Sequence, residues 1–503
     1  MEFDNGALCE VDQFTSDKAK QLVSYLNGGH NDYATLIECR LSETRDIVGI
    51  NIKPELSQLR ANDIRPDEPI FVHIDKQDKY APAIYAMRDS FPRKVPHLNL
   101  EYEGWPASLC LYSESYRDIK PFWTAARFVE RIREWLKETA KGTLHSEDQP
   151  LEPLLFSSDT TVIIPHDLFD TEDNTEKLVV VDCSENGTTK AAFRVIRTPA
   201  NLPENSELFK MVVVKVELPV QQHGIINHRP QTLQDLHAMV KASGFDLLSE
   251  LRKTLSAWDL NDNNLRKSHL AIIARFPKKR STHSEVEAME TWIFASTKTT
   301  IEVGVDIDAY QDIDGSFSKN AHIVGGNFEY DQTKRGQNIP VDLLNPTYEL
   351  SAATAAHLNA YSNAETTPIT VIGAGAIGSN VILNAVRSGF GTWTIIDDDI
   401  LLPHNLARHA LDGFFLGRSK AFSIQTAANK SVSGNPVALA IEDDVINPRN
   451  NKEAIEQCLS DASLIIDMSA SISVARHLAH DINSDARRVS MCLSPSGLSL
   501  IHI

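Results

Sequence analysis

Three glycines spaced Gly373-x-Gly375-x-x-Gly378 lie between an apolar run, ITVI at 369–372, and an apolar-periodic segment, SNVILNAVRSGF. That order predicts a strand, a tight turn and a helix. The glycines let the chain reverse, let phosphate approach the backbone and let the helix pack closely on the strand. The helix N-terminus adds unpaired N–H groups and the positive end of its dipole, which suits an anion. A second apolar run, TWTIID, ends at Asp397, 19 residues after Gly378, where a carboxylate can hydrogen-bond a ribose hydroxyl. Farther on come Asp399, Asn405 and Arg408 in an N-x-x-R spacing, Lys420, and Asp467 at the end of the strand-like LIIDMS. Hydride transfer to a nicotinamide has no use for the arginine and the lysine, which argues against an NAD-dependent oxidoreductase. Adenylation does need such a set, because a nucleoside triphosphate must be held by cations while a carboxylate attacks its α-phosphorus. Arg408 and Lys420 would neutralise charge growing on the phosphates. Asp467, at the carboxyl end of a parallel strand, would hold Mg²⁺.

A second candidate lies near the front. Cys110, in SLCLY, follows Pro96-His97-Leu98-Asn99-Leu100 and Gly104. As a nucleophile its thiolate would accept an acyl group by thioester exchange and pass it to an amine. His97 and Asn99 would orient the loop or hydrogen-bond the developing oxyanion. The plainer alternative is a core thiol, since Leu109 and Leu111 flank it and free cysteine is commonly buried. Cys458 and Cys492 sit in apolar helix-like and strand-like stretches and read as core.

The C-terminal set resembles the ubiquitin-activating E1 superfamily, whose bacterial members include the ThiF and MoeB adenylyltransferases. GAGAIG, Asp397-x-Asp399, Asn405-x-x-Arg408, Lys420 and Asp467 stand where that pattern has its glycine loop, D-x-D, N-x-x-R, lysine and strand-end aspartate. The resemblance covers about 367–503. It implies a Rossmann-like ATP–Mg²⁺ site that activates the C-terminal carboxylate of a protein tail as an acyl-adenylate, in a chain that pairs as a homodimer. Such domains usually take an arginine from just before the first strand; 336–366 contain none, and Arg335 is the nearest preceding one. The family fold also runs past GLSLIHI, so the C-terminal domain is expected to be incomplete, with the E1 thioester cysteine outside it. The N-terminal 1–150 resembles bacterial E2-like (ubiquitin-conjugating) domains: a degenerate His-Pro-Asn, with Leu98 in place of proline, precedes Cys110, and Trp123 and a WL-bearing helix follow. Together the two resemble the E2–E1 fusion proteins of CBASS anti-phage operons. That implies conjugation of a tail, ubiquitin-like or from a cGAS-related nucleotidyltransferase (CD-NTase), to a target. Two other readings remain: a sulfur-carrier adenylyltransferase for which Cys110 is dispensable, and a non-catalytic scaffold.

The elements that must position these residues form three blocks. The first, 1–150, is α+β and closes on a helix at 121–140, with Phe122, Ala125, Ala126, Val129, Ile132 and Leu136 on one face. The stretch 143–160 reads as a linker. The second, 161–340, is a mixed α/β connecting region with strands at TVIIP, KLVVVDC, FRVIR, MVVVKVEL, LAIIARF and TWIFAS. It has one helix over LQDLHAMVKASGFDLLSELRKTL, and its KKR at 278–280 reads as a solvated loop. The third, 341–503, is the doubly wound α/β nucleotide domain, entered through a short helix in LSAATAAHLNAYS. With 503 residues, 42% apolar, and 49 basic against 68 acidic residues (net −19), the chain fits several globular domains rather than a disordered one. The negative field disfavours nucleic acid as a partner. Six cysteines without C-x-x-C spacing exclude a zinc ribbon and suit a reducing compartment. No apolar run is long enough for a bilayer and the N-terminus lacks a signal-peptide pattern, so a soluble cytoplasmic protein is expected.

Overall fold

The computed structural model describes all residues except 1–2, 30, 103, 147, 156–159, 171–176, 184–191, 199–208, 224–227, 261–265, 282, 320–334, 494–498 and 503. The chain divides into two compact units: Met1–Thr160 with Leu202–Asn345, and Thr161–Asn201 with Pro346–Ile503. Residues 161–201 and 202–340 of the expected connecting block thus fall in different units.

In the N-terminal unit, helix α1 (Asp17–Asn27) starts where the Ser16 side chain accepts from the Ala19 N–H. Its buried residues, Ala19, Leu22, Val23 and Leu26, follow a three- and four-residue step. An antiparallel meander follows: β1 (Ala34–Leu41), β2 (Arg45–Ile52), β3 (Glu68–Asp75) and β4 (Ala83–Ala86). The short β5 (Leu98–Asn99) and β6 (Ala107–Leu109) complete it in the order β1-β2-β3-β4-β6-β5, with Ala7–Leu8 on the far edge. Helix α2 (Ala125–Lys141) is capped by the Thr124 side chain and stopped at Gly142, which takes the left-handed φ of 79°. Its buried face is Ala125, Phe128, Val129, Ile132, Trp135, Leu136, Thr139 and Ala140. Phe122 and Ala126, expected on that face, are exposed. Pro121 belongs to a separate 3-10 turn, so the helix and its phase begin only at Thr124.

Later in this unit, α3 (Leu233–Lys241) and α4 (Leu247–Ala257) replace the single expected helix. Gly244 at φ 89° lies in the break. The long β7 (His269–Lys279) and β8 (Val286–Thr299) pair antiparallel. This corrects the reading of 278–280 as a solvated loop. Lys278 is buried in β7, 2.5 Å from Glu290 of β8, and donates to the Glu152 carbonyl at 2.8 Å. Arg280 donates to the Ser146 and Gln149 carbonyls. The apolar stretch before KKR continued the strand through the basic residues.

The C-terminal unit is built on a six-stranded sheet. Its elements are β9 (Glu365–Ile372), α5 (Ala376–Arg387), β10 (Phe390–Ile396), α6 (Lys420–Ser431), β11 (Ala438–Ile441), α7 (Lys452–Asp461), β12 (Leu464–Asp467), α8 (Ile472–His480), β13 (Arg487–Leu493) and β14 (Ser499–His502). The order is β11-β10-β9-β12-β13-β14, parallel except for the last pair. Counting strands along this unit, that is 3-2-1-4-5-6, the doubly wound order whose topological switch point lies between the first and fourth strands. The lead-in helix expected in LSAATAAHLNAYS is Ala352–Leu358.

Phe128, fully buried in the N-terminal core, supplies a direct check. Phe128→Ala should destabilise that unit by about 3–5 kcal/mol, read as a lowered urea midpoint; an unchanged midpoint would refute the assigned helix face.

Candidate functional site

At the switch point the glycines are fixed by backbone crowding. Gly373 has φ 95°, and a Cβ there would sit 2.7 Å from the Met468 carbonyl carbon and the Ser469 nitrogen, just past β12. A Cβ on Gly378 would lie 2.0 Å from the Gly373 carbonyl oxygen, so the first turn of α5 stacks directly on the loop. Gly375 differs. It is the N-cap of α5 with no capping side chain, and a Cβ there meets nothing within 4 Å. Among the described residues the space beside Gly375 is therefore free, which gives an incoming phosphate room to approach the helix N-terminus.

Two side chains hold the loop in place. Asp397 follows β10; its Oδ2 accepts from the Ala374 N–H at 2.7 Å and its Oδ1 from the Asp399 N–H at 2.9 Å. Burial pushes its carboxyl pKa up, against these two backbone donors. His409 sits on the other side, buried, with Nε2 2.8 Å from the Ala374 carbonyl and Nδ1 accepting from Leu411 N–H at 3.2 Å. Because Nδ1 accepts, Nε2 carries the proton and donates. Burial holds the His409 pKa below its usual range. No local sequence signal marks His409 beyond its place next to Arg408.

Lys420, the first residue of α6, is buried and donates to the Asp399 carboxylate at 2.7 Å, while its own N–H donates to the Asp399 carbonyl at 2.9 Å. The carboxylate of Asp399 is largely exposed. The lysine is thus tethered to the D-x-D segment yet able to exchange a carboxylate for a phosphate oxygen. Asn405 accepts from the Leu402 N–H at 2.8 Å and shapes the 3-10 turn Pro403–Ala407. Arg408 follows that turn, exposed, and its carbonyl accepts from Asn380 of α5 at 3.2 Å. Among the described residues no ion pair holds its guanidinium. Asp467 ends β12 opposite Ile372 and is buried. Its Oδ1 accepts from Ser469 Oγ (2.6 Å) and N–H (3.0 Å), and its Oδ2 from Ser490 Oγ (3.1 Å). Three of about four acceptor positions on the carboxylate are filled, which leaves one for a cation. The expected glycines, Asp397, Asp399, Lys420 and Asp467 therefore meet at the carboxyl ends of β9, β10 and β12. Arg335 is engaged in the other unit, paired with Asp308 at 2.6 Å.

Residues 349–487 match the profile of the ThiF family, and 28–174 match that of Prokaryotic E2 family A. The chain carries an E2-like segment followed by a ThiF-family segment. Over 127 residues the chain is 30% identical to the ATP-dependent ubiquitin transferase-like protein Cap2 of Enterobacter hormaechei. Over 151 it is 28% identical to the uncharacterized protein y4oA of Sinorhizobium fredii. These alignments span 25% and 28% of this chain and only 20% and 26% of those relatives. Among solved structures, E. coli MccB with AMPCPP and MccA is similar at 17% identity and a TM-score of 0.22, over 25% of this chain and 37% of that one. No helix among the described residues is long and apolar enough to cross a membrane.

In the E2-like segment, Cys110 directly follows β6. Its N–H donates to the His97 carbonyl at 2.9 Å, and its Sγ lies 3.7 Å from the Tyr112 carbonyl. Leu109 and Leu111 point into the core, whereas Cys110 between them is half-buried and outside the apolar cluster. Asn99 donates to Ser108 Oγ (3.0 Å) and the Leu109 carbonyl (3.2 Å), so it fastens the strand leading to the thiol. Cys458 lies in α7 and Cys492 in β13; both are partly buried.

The contrast between two glycines is testable. Gly378→Ala should cost about 3 kcal/mol of stability and abolish ATP binding. Gly375→Ala should keep the thermal midpoint yet weaken ATP about tenfold, near 1.4 kcal/mol by calorimetry; unaltered affinity would sink the phosphate cradle. His409 supplies a pH dependence. Its folded pKa lies below the usual 6.5, so the fold favours the neutral ring. That support is complete above pH 6.5 and fades as pH falls through the folded value. ATP affinity should therefore drop below about pH 6.5, and drop less in His409→Gln, which can still donate to Ala374.

Proposed function

We propose that the chain activates and conjugates a protein tail: the ThiF segment, 341–503, adenylates a C-terminal carboxylate with ATP, and the E2-like domain, 1–150, receives the acyl group on Cys110. The region 161–340 connects them. One observation carries this reading: an open, uncapped helix N-terminus at Gly375 faces the same strand ends as buried Lys420 and Asp467.

Gly373, Gly375 and Gly378 offer backbone N–H groups to the phosphates, and Asp397 and Asp399 lie where the ribose is expected. Lys420 and Arg408 offset charge that grows on the phosphates during attack. Asp467 would hold Mg²⁺, which would draw charge from the triphosphate. A carboxylate oxygen of the tail attacks the α-phosphorus; the acyl–O–P bond forms, the α–β phosphoanhydride breaks, and pyrophosphate leaves. In conjugation the Cys110 thiolate attacks the activated acyl carbon and displaces its leaving group, and an amine later displaces the thiolate. Exposed Ile400, Leu402, Phe414, Leu416 and Phe422 supply an apolar surface that fits pairing of two chains. The resemblance to CBASS fusions, together with the likeness to Cap2, favours a cGAS-related nucleotidyltransferase as the source of the tail.

Exchange of labelled pyrophosphate into ATP, dependent on a protein tail, reads the first half reaction. Arg408→Ala and Asp467→Ala should each cut it about 10²–10³-fold; undiminished exchange in either would discredit the site. Cys110→Ser should trap a hydroxylamine-sensitive oxyester without affecting exchange. Tail-dependent exchange with no oxyester trapped in Cys110→Ser would favour sulfur-carrier adenylation instead.

A further inference from the structure

Within the N-terminal unit, a second cluster lies beside the Cys110 strand and has no part in the reaction above. Pairing of β5 with β6 places His97 opposite Cys110. Its backbone has a left-handed φ of 57°, uncommon for a residue with a Cβ. His97 Nδ1 is 2.8 Å from Glu152 Oε1, and His97 Nε2 is 3.3 Å from His145 Nδ1. One nitrogen from each histidine and a Glu152 oxygen lie within 4.8 Å of one another. The His223 ring sits 4.6 Å from that of His145, and His145 Nε2 and His223 Nδ1 are buried without a hydrogen-bond partner among the described residues.

We propose that His97, His145 and Glu152 form a zinc site. Two imidazoles and a carboxylate are a donor set that suits zinc. One donor atom from each of the three residues lies within 4.8 Å of the other two, so a single ion could be shared by all three. Lys278 and Arg280 place positive charge nearby, which the carboxylates of Glu152, Glu287 and Glu290 offset. The ion would tie the His97 strand to residues 145–152.

The test needs no nucleotide, so its outcome is separate from the reading above. Full-length chain stripped with a chelator, reloaded with ZnCl₂ and desalted should retain about one zinc per chain by elemental analysis. His145→Gln and Glu152→Gln should each weaken zinc about 10–100-fold in competition with a chromogenic chelator. Cys110→Ser and Asp467→Asn should retain it. Cobalt(II) in the wild-type chain should give the strong visible absorption of a tetrahedral site, a readout that does not rely on any variant folding. Absence of that absorption, wild-type zinc affinity in both cluster variants, or zinc loss in Cys110→Ser or Asp467→Asn would overturn the proposal.

Discussion

The C-terminal unit depends on one crowded contact, that between the first turn of α5 and the carbonyl of Gly373. Because that oxygen stands where a side chain on Gly378 would be, the helix can sit low on the sheet only if both positions lack a Cβ. The low seat leaves the helix N-terminus level with the ends of β9, β10 and β12. Asp397 and His409 then clamp Ala374 from opposite sides, through its N–H and its carbonyl. The nucleotide loop is thus preorganised by neighbours that need not touch the ligand.

The same economy governs the charges. Lys420 is buried at a helix start, a costly place for an ammonium, and Asp399 offsets it while remaining open to solvent. Asp467 is buried too, but its oxygens already receive three donors. Both are held in position before any ligand arrives, so little reorganisation is left for the moment of reaction.

In the E2-like segment the end of a short strand makes the decision. Leu109 closes β6 and Leu111 follows it, both buried in the core, while Cys110 between them is only half-buried. That geometry separates Cys110 from an ordinary core thiol, although burial still pushes its pKa up. Asn99, a candidate for oxyanion contact, is instead committed to the backbone beside the thiol.

The glycine spacing, the two apolar runs and the polar residues after them were enough to specify the doubly wound unit and which polar residues gather at its strand ends, because close backbone approach leaves a local mark in residue type. Helix α2 was legible from periodicity, but its start was not: Phe122 fits the spacing and is exposed, since the cap at Thr124 resets the phase. Lys278 and His409 could not be read at all. A lysine in a basic triplet and a histidine after an arginine carry no local sign of burial, and their partners, Glu290 and Ala374, are set by strand pairing and loop closure. The His97, His145 and Glu152 cluster is of the same kind. Its members come from a strand edge and from a stretch that reads as linker, and only folding brings their donor atoms together.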